Sequence, residues 1–155
     1  MAGHKVEVAR EILAAPEQVW AVLTDIDAAP KVLSSVVSVE RVGGPDYDVG
    51  TRWRETRRMF GKVEIEEMWV TEAIEPRSTT IVADSGGTRY TTVFTCVPSE
   101  LGVELSVEFS ASTPHPKLGQ RVGWAVFGKI GMKATENALK QDLEDIATAA
   151  ESARR

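Results

Sequence analysis

The chain has 155 residues, of which 43% are hydrophobic and 26% charged, and its net charge at pH 7 is −5. This length suits a single domain that buries roughly 70% of the surface of its unfolded chain, so a core can form without disulfide bonds. One cysteine and two histidines exclude an intrachain disulfide and give no zinc-ligand spacing, and the acidic balance argues against binding of nucleic acid.

The first predicted elements are a strand and a short helical region. Apolar residues alternate from Val6 to Leu13, which predicts a strand. Pro16 suits the first turn of a helix, and the apolar residues after it recur at helical spacing. We therefore expect an amphipathic helix over residues 16–25 and a second helical turn near 28–33.

The middle of the chain alternates between apolar and polar residues and predicts six further strands. Their boundaries are Val36–Val42, Thr51–Met59, Lys62–Glu72, Ser78–Ser85, Arg89–Val97 and Val103–Ser112. Short turns rich in Gly and Pro separate these segments, and short turns join neighbouring antiparallel strands. The sheet should therefore be an antiparallel meander.

After Pro116 the pattern becomes helical and continues to the end of the chain. The apolar stripe of this helix consists of Leu118, Ala125, Met132, Leu139, Leu143, Ile146, Ala147 and Ala150. The charged residues predicted to lie off the stripe are Lys140, Asp142, Glu144, Asp145 and Glu151. We expect one long helix that covers the apolar face of the sheet, in a single α+β domain spanning residues 1–155.

The strand Thr51–Met59 is unusual because both of its faces carry charge. The even-numbered face holds three arginines and no large apolar residue, so the odd-numbered face should point inward. This places Glu55 and Arg57 side by side where a core is expected. Buried charges must be paired or hydrated, so the pattern favours a wet interior that a ligand can reach. A charge pair at the rim of the sheet would explain it equally well.

The first half of the C-terminal helix is rich in glycine. Each of Gly119, Gly123, Gly128 and Gly131 costs up to about 1 kcal/mol relative to Ala inside a helix. Either side-chain volume is avoided there or the helix begins later. Lys129 and Glu136 are seven residues apart in the apolar stripe, so an unbroken helix would point both at the sheet and a kink would turn them to water.

Three predictions concern side chains on the other strands. Tyr90, Phe94 and Cys96 alternate on one side of their strand and should face inward. Cys96 is predicted to be a buried, inert thiol because no base lies near it. The phase of Trp69 is ambiguous, since Val63 and Ile65 are in phase with it whereas Met68 and Val70 are not. A bulge at Glu66–Glu67 would reconcile the two phases.

Several kinds of chemistry have no sequence signal. The chain contains no nucleophile elbow, phosphate-binding loop or HExxH motif, so we predict neither a cofactor nor a metal. No apolar run approaches the ~18 residues of a membrane span, and the N-terminus has no apolar leader. We therefore expect a cytoplasmic protein without stable membrane insertion.

Three local strings in order resemble the START-like superfamily, and within it the SRPBCC or polyketide cyclase/dehydrase-like group. They are AAPEQVWAVLTD at residues 14–25, VGTR at 49–52 and EPR at 75–77, and the similarity runs from Val6 to about Ala150. The resemblance implies a helix-grip fold, in which a curved antiparallel sheet of six to seven strands wraps round a long C-terminal helix. It also implies two short helices after the first strand and a deep pocket between sheet and helix. No catalytic residue can be transferred by motif, because such families share fold more than activity.

Members of such families bind lipids, sterols, polyketides or plant hormones, and a minority are cyclases or aromatases. We predict a soluble binder or carrier of a small hydrophobic, lipid- or polyketide-like molecule. The residues expected to line its pocket are Trp53, Tyr90, Phe94, Val107, Phe109, Trp124 and Phe127, with Glu55 and Arg57 orienting a polar group.

The alternative is a cyclase, aromatase or dehydratase acting on a poly-keto chain, in which Arg57 or Tyr90 stabilises an enolate. A homodimeric interaction module without ligand is a third hypothesis, since Trp20 or Trp124 could lie on a surface patch.

Overall fold

Strands and helices form in the segments where the sequence predicts them. The computed structural model describes residues 3–59, 61–85, 87–112 and 132–153. In chain order the elements are β1 (Gly3–Ile12), α1 (Pro16–Leu23), a 3₁₀ turn (Ile26–Ala28), α2 (Ala29–Val32), β2 (Val36–Gly43), β3 (Arg52–Met59), β4 (Lys62–Ile74), β5 (Ser78–Ser85), β6 (Thr88–Pro98), β7 (Val103–Ser112) and α3 (Met132–Ala153). The predictions made for Trp124, Phe127, Lys129 and the four glycines between residues 119 and 131 lie outside the described residues.

The seven strands form one antiparallel sheet in the order β1-β7-β6-β5-β4-β3-β2. Strands β2 to β7 are a meander, as predicted, because each pairs with the next along the chain. β1 pairs with β7, with Val6 opposite Phe109, and so forms one edge of the sheet. The other edge is β2.

The register determines which side chains share the inner face of the sheet. One row of inward-facing positions crosses it through Trp53, Met68, Ala83, Tyr90 and Ala111. The next two positions toward the β3–β4 hairpin pair Glu55 with Glu66 and Arg57 with Glu64. The odd-numbered face of β3 therefore points inward, as predicted, and its charges adjoin an apolar row.

The main core lies between α3, α1 and the strands β1, β6 and β7. On β7, Val103, Leu105 and Val107 have no exposed surface. The described part of the predicted stripe is confirmed, since Met132 is partly buried and Leu139, Leu143, Ile146, Ala147 and Ala150 are buried. Leu118 and Ala125 of that stripe lie outside the described residues. Full burial of a Val, Leu or Ile side chain contributes about 1.5–3 kcal/mol, so this contact fixes where α3 lies on the sheet.

The prediction of a bulge at Glu66–Glu67 was wrong. The pairing of β3 with β4 is continuous through both residues, and the irregularity lies instead between Val70 and Glu72, where β4 pairs with β5. Met68 and Val70 therefore face inward and Trp69 faces outward. Its ring lies on the outer surface, 4.6 Å from the guanidinium of Arg52.

Candidate functional site

A buried network of charges connects β3 with α3. Arg57 is its centre: Nε donates a hydrogen bond to Glu55 at 3.0 Å, and Nη1 donates to Ser35 Oγ at 2.8 Å. Nη1 also donates to both carboxylate oxygens of Asp142, at 3.0 and 3.1 Å. The side chains of Arg57, Glu55 and Asp142 are 16%, 8% and 12% exposed, so the ion pairs are shielded from water. The predicted Glu55–Arg57 pair thus belongs to the interior.

The helical periodicity predicted that Asp142 lies off the apolar stripe, and this prediction was wrong. Asp142 is buried in the structure because it meets Arg57, which lies 85 positions earlier in the chain. Its spacing could have indicated this, since it follows Leu139 by three residues and precedes Ile146 by four, the separations that keep helix residues on one face. The charge of Asp142 instead suggested contact with solvent.

A second contact with α3 holds the loop before β2 in place. The backbone N–H and the Oγ of Ser34 both donate hydrogen bonds to Asp145, at 2.9 Å. This contact fastens the loop to the helix and brings the neighbouring Ser35 to Arg57. Ser35 was not predicted, because a loop serine carries no distinguishing pattern in the sequence.

Carboxylates outnumber cations in the described part of this interior. Glu66 lies opposite Glu55 on the same face of the sheet, and no hydrogen bond or ion pair joins its carboxylate to another described residue. Burial, and then the charges of Glu55 and Glu64, raise the pKa of Glu66 although Arg57 opposes them. The region therefore holds protons more tightly than free carboxylates do.

The pKa values of Asp142 and Arg57, the two partners of the central ion pair, are both raised. Burial raises the pKa of Asp142 to about 6, although the Arg57 charge and hydrogen bond act against the shift. Burial lowers the pKa of Arg57, but Asp142 and Glu55 raise it more, so the net change is upward and the guanidinium stays charged. Asp142 is thus the member of the pair that titrates near neutral pH.

An aromatic surface adjoins the charged network. The rings of Tyr90 and Phe109 stack with their centroids 5.8 Å apart and their planes 17° from parallel. Both side chains, and that of Phe94, are partly exposed on the inner face. Burial, followed by the charges of Glu66 and Glu64, raises the pKa of Tyr90, so its phenol keeps its proton and can donate a hydrogen bond.

The other described residues that the sequence predicted for the site belong neither to the charged network nor to the aromatic surface. Trp53 is buried with Ile26 and Val70 in a second core, and Val107 is fully buried in the main core. Glu136 pairs with Lys133 and Lys140 along α3. The structure therefore brings Glu55 and Arg57 together, and it places Tyr90, Phe94 and Phe109 on the same face of the sheet.

The described residues support neither a nucleophilic cysteine, nor a metal site, nor a membrane-spanning helix. Burial raises the pKa of the Cys96 thiol to about 11, which keeps it protonated and makes it a poor nucleophile. No group of three or more His, Cys, Asp or Glu within the described ranges could hold a metal ion. No helix of the described segments is long and apolar enough to cross a membrane.

Comparison with known proteins gives one family and a set of similar folds. Residues 3–151 match the family described as polyketide cyclase / dehydrase and lipid transport. No curated protein sequence matches the chain significantly. The solved structures that resemble it include three whose names state a function or a family.

The Zhui aromatase/cyclase from Streptomyces sp. R1128 is 14% identical with a TM-score of 0.80, over 99% of this chain and 97% of that one. Norcoclaurine synthase of Thalictrum flavum is 16% identical with a TM-score of 0.75, over 99% and 98% of the two chains. A START superfamily protein from Mycobacterium smegmatis is 16% identical with a TM-score of 0.66, over 96% and 95%. At these identities the likeness concerns the fold, and it confirms the helix-grip architecture expected from the sequence.

Proposed function

Because the chain belongs to the polyketide cyclase / dehydrase and lipid transport family, we propose that it binds or carries a small hydrophobic, lipid- or polyketide-like molecule. The proposed site lies between the inner face of the sheet and the C-terminal helix. The observation that carries this proposal is that one inner face of the sheet holds both a partly exposed aromatic surface and a buried, hydrogen-bonded charge network.

The spacing of the sheet supports a ligand of moderate size. Residues that face the same way along a strand are about 7 Å apart, and neighbouring strands are about 4.8 Å apart. Tyr90 on β6 is three strands from Trp53 on β3, which lies in the same row, so the two backbones are roughly 14 Å apart. Glu55 is the next inward-facing residue of β3 after Trp53. A molecule of two to four fused rings could contact the aromatic surface and direct its polar end across Met68 toward the charged network.

In and beside the row that holds Tyr90, the inner face offers further partly exposed, uncharged side chains. The side chains of Met68, Ile81 and Thr92 are partly exposed there, on β4, β5 and β6. The described part of α3 packs chiefly against β1 and α1, near the β1 edge of this same face. Partly exposed apolar side chains on a concave face are typical of a pocket lining.

A cyclase or aromatase acting on a poly-keto chain is the second candidate. The pKa of Asp142, about 6, is in the range that acid–base catalysis at neutral pH requires. The protonated phenol of Tyr90 could stabilise an enolate. We rank this candidate second because both oxygens of Asp142 already accept hydrogen bonds from Arg57 and the residue is only 8% exposed.

Titration calorimetry with 2-naphthalenemethanol tests the binding function. We expect saturable binding with one molecule per chain. Tyr90→Phe should weaken it about 2- to 10-fold, the effect of one hydrogen bond. Trp69→Phe is the control, because Trp69 lies on the outer face, and it should leave the affinity unchanged. Absence of saturable binding, or equal weakening by both substitutions, would contradict the proposal.

The same variants separate binding from catalysis. With a poly-β-keto thioester as substrate, an enzyme should lose turnover about 100-fold or more in Tyr90→Phe while it still binds the substrate. A carrier should show no turnover in either protein. Turnover that falls 100-fold in this variant would make the second candidate the correct one.

A further inference from the structure

The charges around Arg57 indicate what kind of polar group the site can accept. Within the described residues, three carboxylates face this part of the interior, those of Glu55, Glu66 and Asp142. Arg57 is the cation among them, and Nε and Nη1 are already engaged by Glu55, Ser35 and Asp142. The positive charge of Arg57 is therefore neutralised before any ligand arrives.

Charged groups on the neighbouring elements do not reverse this balance in the described part of the chain. Arg41 on β2 is inward by register, and its Nε is 3.1 Å from the carboxylate of Asp27. Glu64 on β4 adds a further negative charge on the same face. Asp145 on α3 accepts the hydrogen bonds of Ser34 and is itself negative.

An anionic head group would meet repulsion at this site. At Nη2 of Arg57 it would meet a guanidinium whose charge Glu55 and Asp142 already neutralise, and displacing either carboxylate would leave that carboxylate buried without its cation. The carboxylate of Glu66, which has no ion-pair partner among the described residues, would repel it in addition. An uncharged carbonyl or hydroxyl has no such difficulty, because Nη2 of Arg57 makes no hydrogen bond to a described residue and the phenol of Tyr90 keeps its proton.

We propose that the site selects apolar molecules whose polar end is uncharged or cationic, and that it discriminates against carboxylate and phosphate head groups. This inference rests on the proposed binding function and narrows it. Within the chemistry that the family covers, it favours neutral poly-carbonyl, phenolic or amine-bearing compounds over fatty acids and phospholipids.

Three probes with the same bicyclic ring test the inference: 2-naphthylmethylamine, 2-naphthalenemethanol and 2-naphthoate. At pH 7.5, titration calorimetry should show binding of the alcohol and the amine, with 2-naphthoate bound at least about tenfold more weakly, because like charges in contact are strongly unfavourable. Glu66→Gln should strengthen the binding of 2-naphthoate by about three- to tenfold and weaken that of the amine.

Glu72→Gln is the matched control for the charge change. Glu72 is on the same strand but exposed, and its register partner is Thr80 rather than a residue of the inner face. The inference predicts no change in head-group preference in this variant. If both substitutions shift the preference equally, the net charge of the protein is the cause and the inference is wrong.

The outcomes separate the two proposals. If 2-naphthoate binds as tightly as the alcohol, the inference is overturned and the binding function stands. If none of the three probes binds, both are overturned. If the acid is discriminated against but Glu66→Gln has no effect, the assignment of the preference to this interior is overturned.

Discussion

Replacing Arg57 with methionine is expected to lower the free energy of unfolding by about 3–5 kcal/mol at pH 7.5. The substitution removes the cation and leaves the carboxylates of Glu55 and Asp142 buried, with side chains only 8% and 12% exposed. Methionine retains much of the alkyl stem, so the loss reports the missing charge more than missing volume. Denaturant unfolding followed by circular dichroism measures the change.

Two further variants make this result specific. Arg54→Met removes an arginine from the outer face of the same strand, where the side chain is 47% exposed, and should cost no more than about 1 kcal/mol. Adding Asp142→Asn to Arg57→Met should restore part of the loss, because the double variant has one buried anion fewer. Equal losses in Arg57→Met and Arg54→Met would show that the network is not buried in solution.

The second large expected effect is a decrease in the stability of the protein with rising pH, caused by the titration of Asp142. Its pKa in the folded protein is about 6, above the ordinary value of 3.8, so between these values the folded state holds a proton that the unfolded state has released. Stability therefore decreases as pH rises through this window. A pKa difference of this size corresponds to roughly 3 kcal/mol. Asp142→Asn cannot titrate and should lack this decrease.

The measurement is the difference in unfolding free energy between wild type and Asp142→Asn from pH 4 to pH 7. Wild type should lose about 3 kcal/mol relative to the variant over this range. Asp84→Asn is the control, because its exposed carboxylate has a pKa lowered by Arg89, so its contribution is complete above the ordinary value of 3.8. A wild type that gains stability relative to Asp142→Asn as pH rises would contradict the assigned shift.

Local periodicity was sufficient to predict most of the fold. The alternation of β7 predicted its inner face residue by residue, because a strand between a core and solvent must alternate. The odd-numbered face of β3 was predicted as the inner face although it carries charge, since its other face was even less suited to a core. These inferences depend only on neighbouring residues, and the sequence shows those directly.

Long-range pairings could not be predicted in the same way. The contact of Arg57 with Asp142 depends on how α3 lies on the sheet, and the phase of Trp69 depends on where β4 bulges. Trp53 was assigned to a pocket wall, but Ile26 from the 3₁₀ turn packs against it. Periodicity shows that a side chain points inward, whereas only the packing of other elements shows whether it is covered.

The central claim is that an apolar molecule binds on the inner face of the sheet, with its rings against Tyr90 and Phe109. Nuclear Overhauser effects between bound 2-naphthalenemethanol and assigned aromatic protons of the protein test this most directly, since they report proton distances below about 5 Å. The account predicts cross-peaks from the naphthalene ring to the rings of Tyr90 and Phe109 and none to Trp69, which lies on the outer face. Saturable binding with cross-peaks to Trp69 and none to Tyr90 or Phe109 would contradict it.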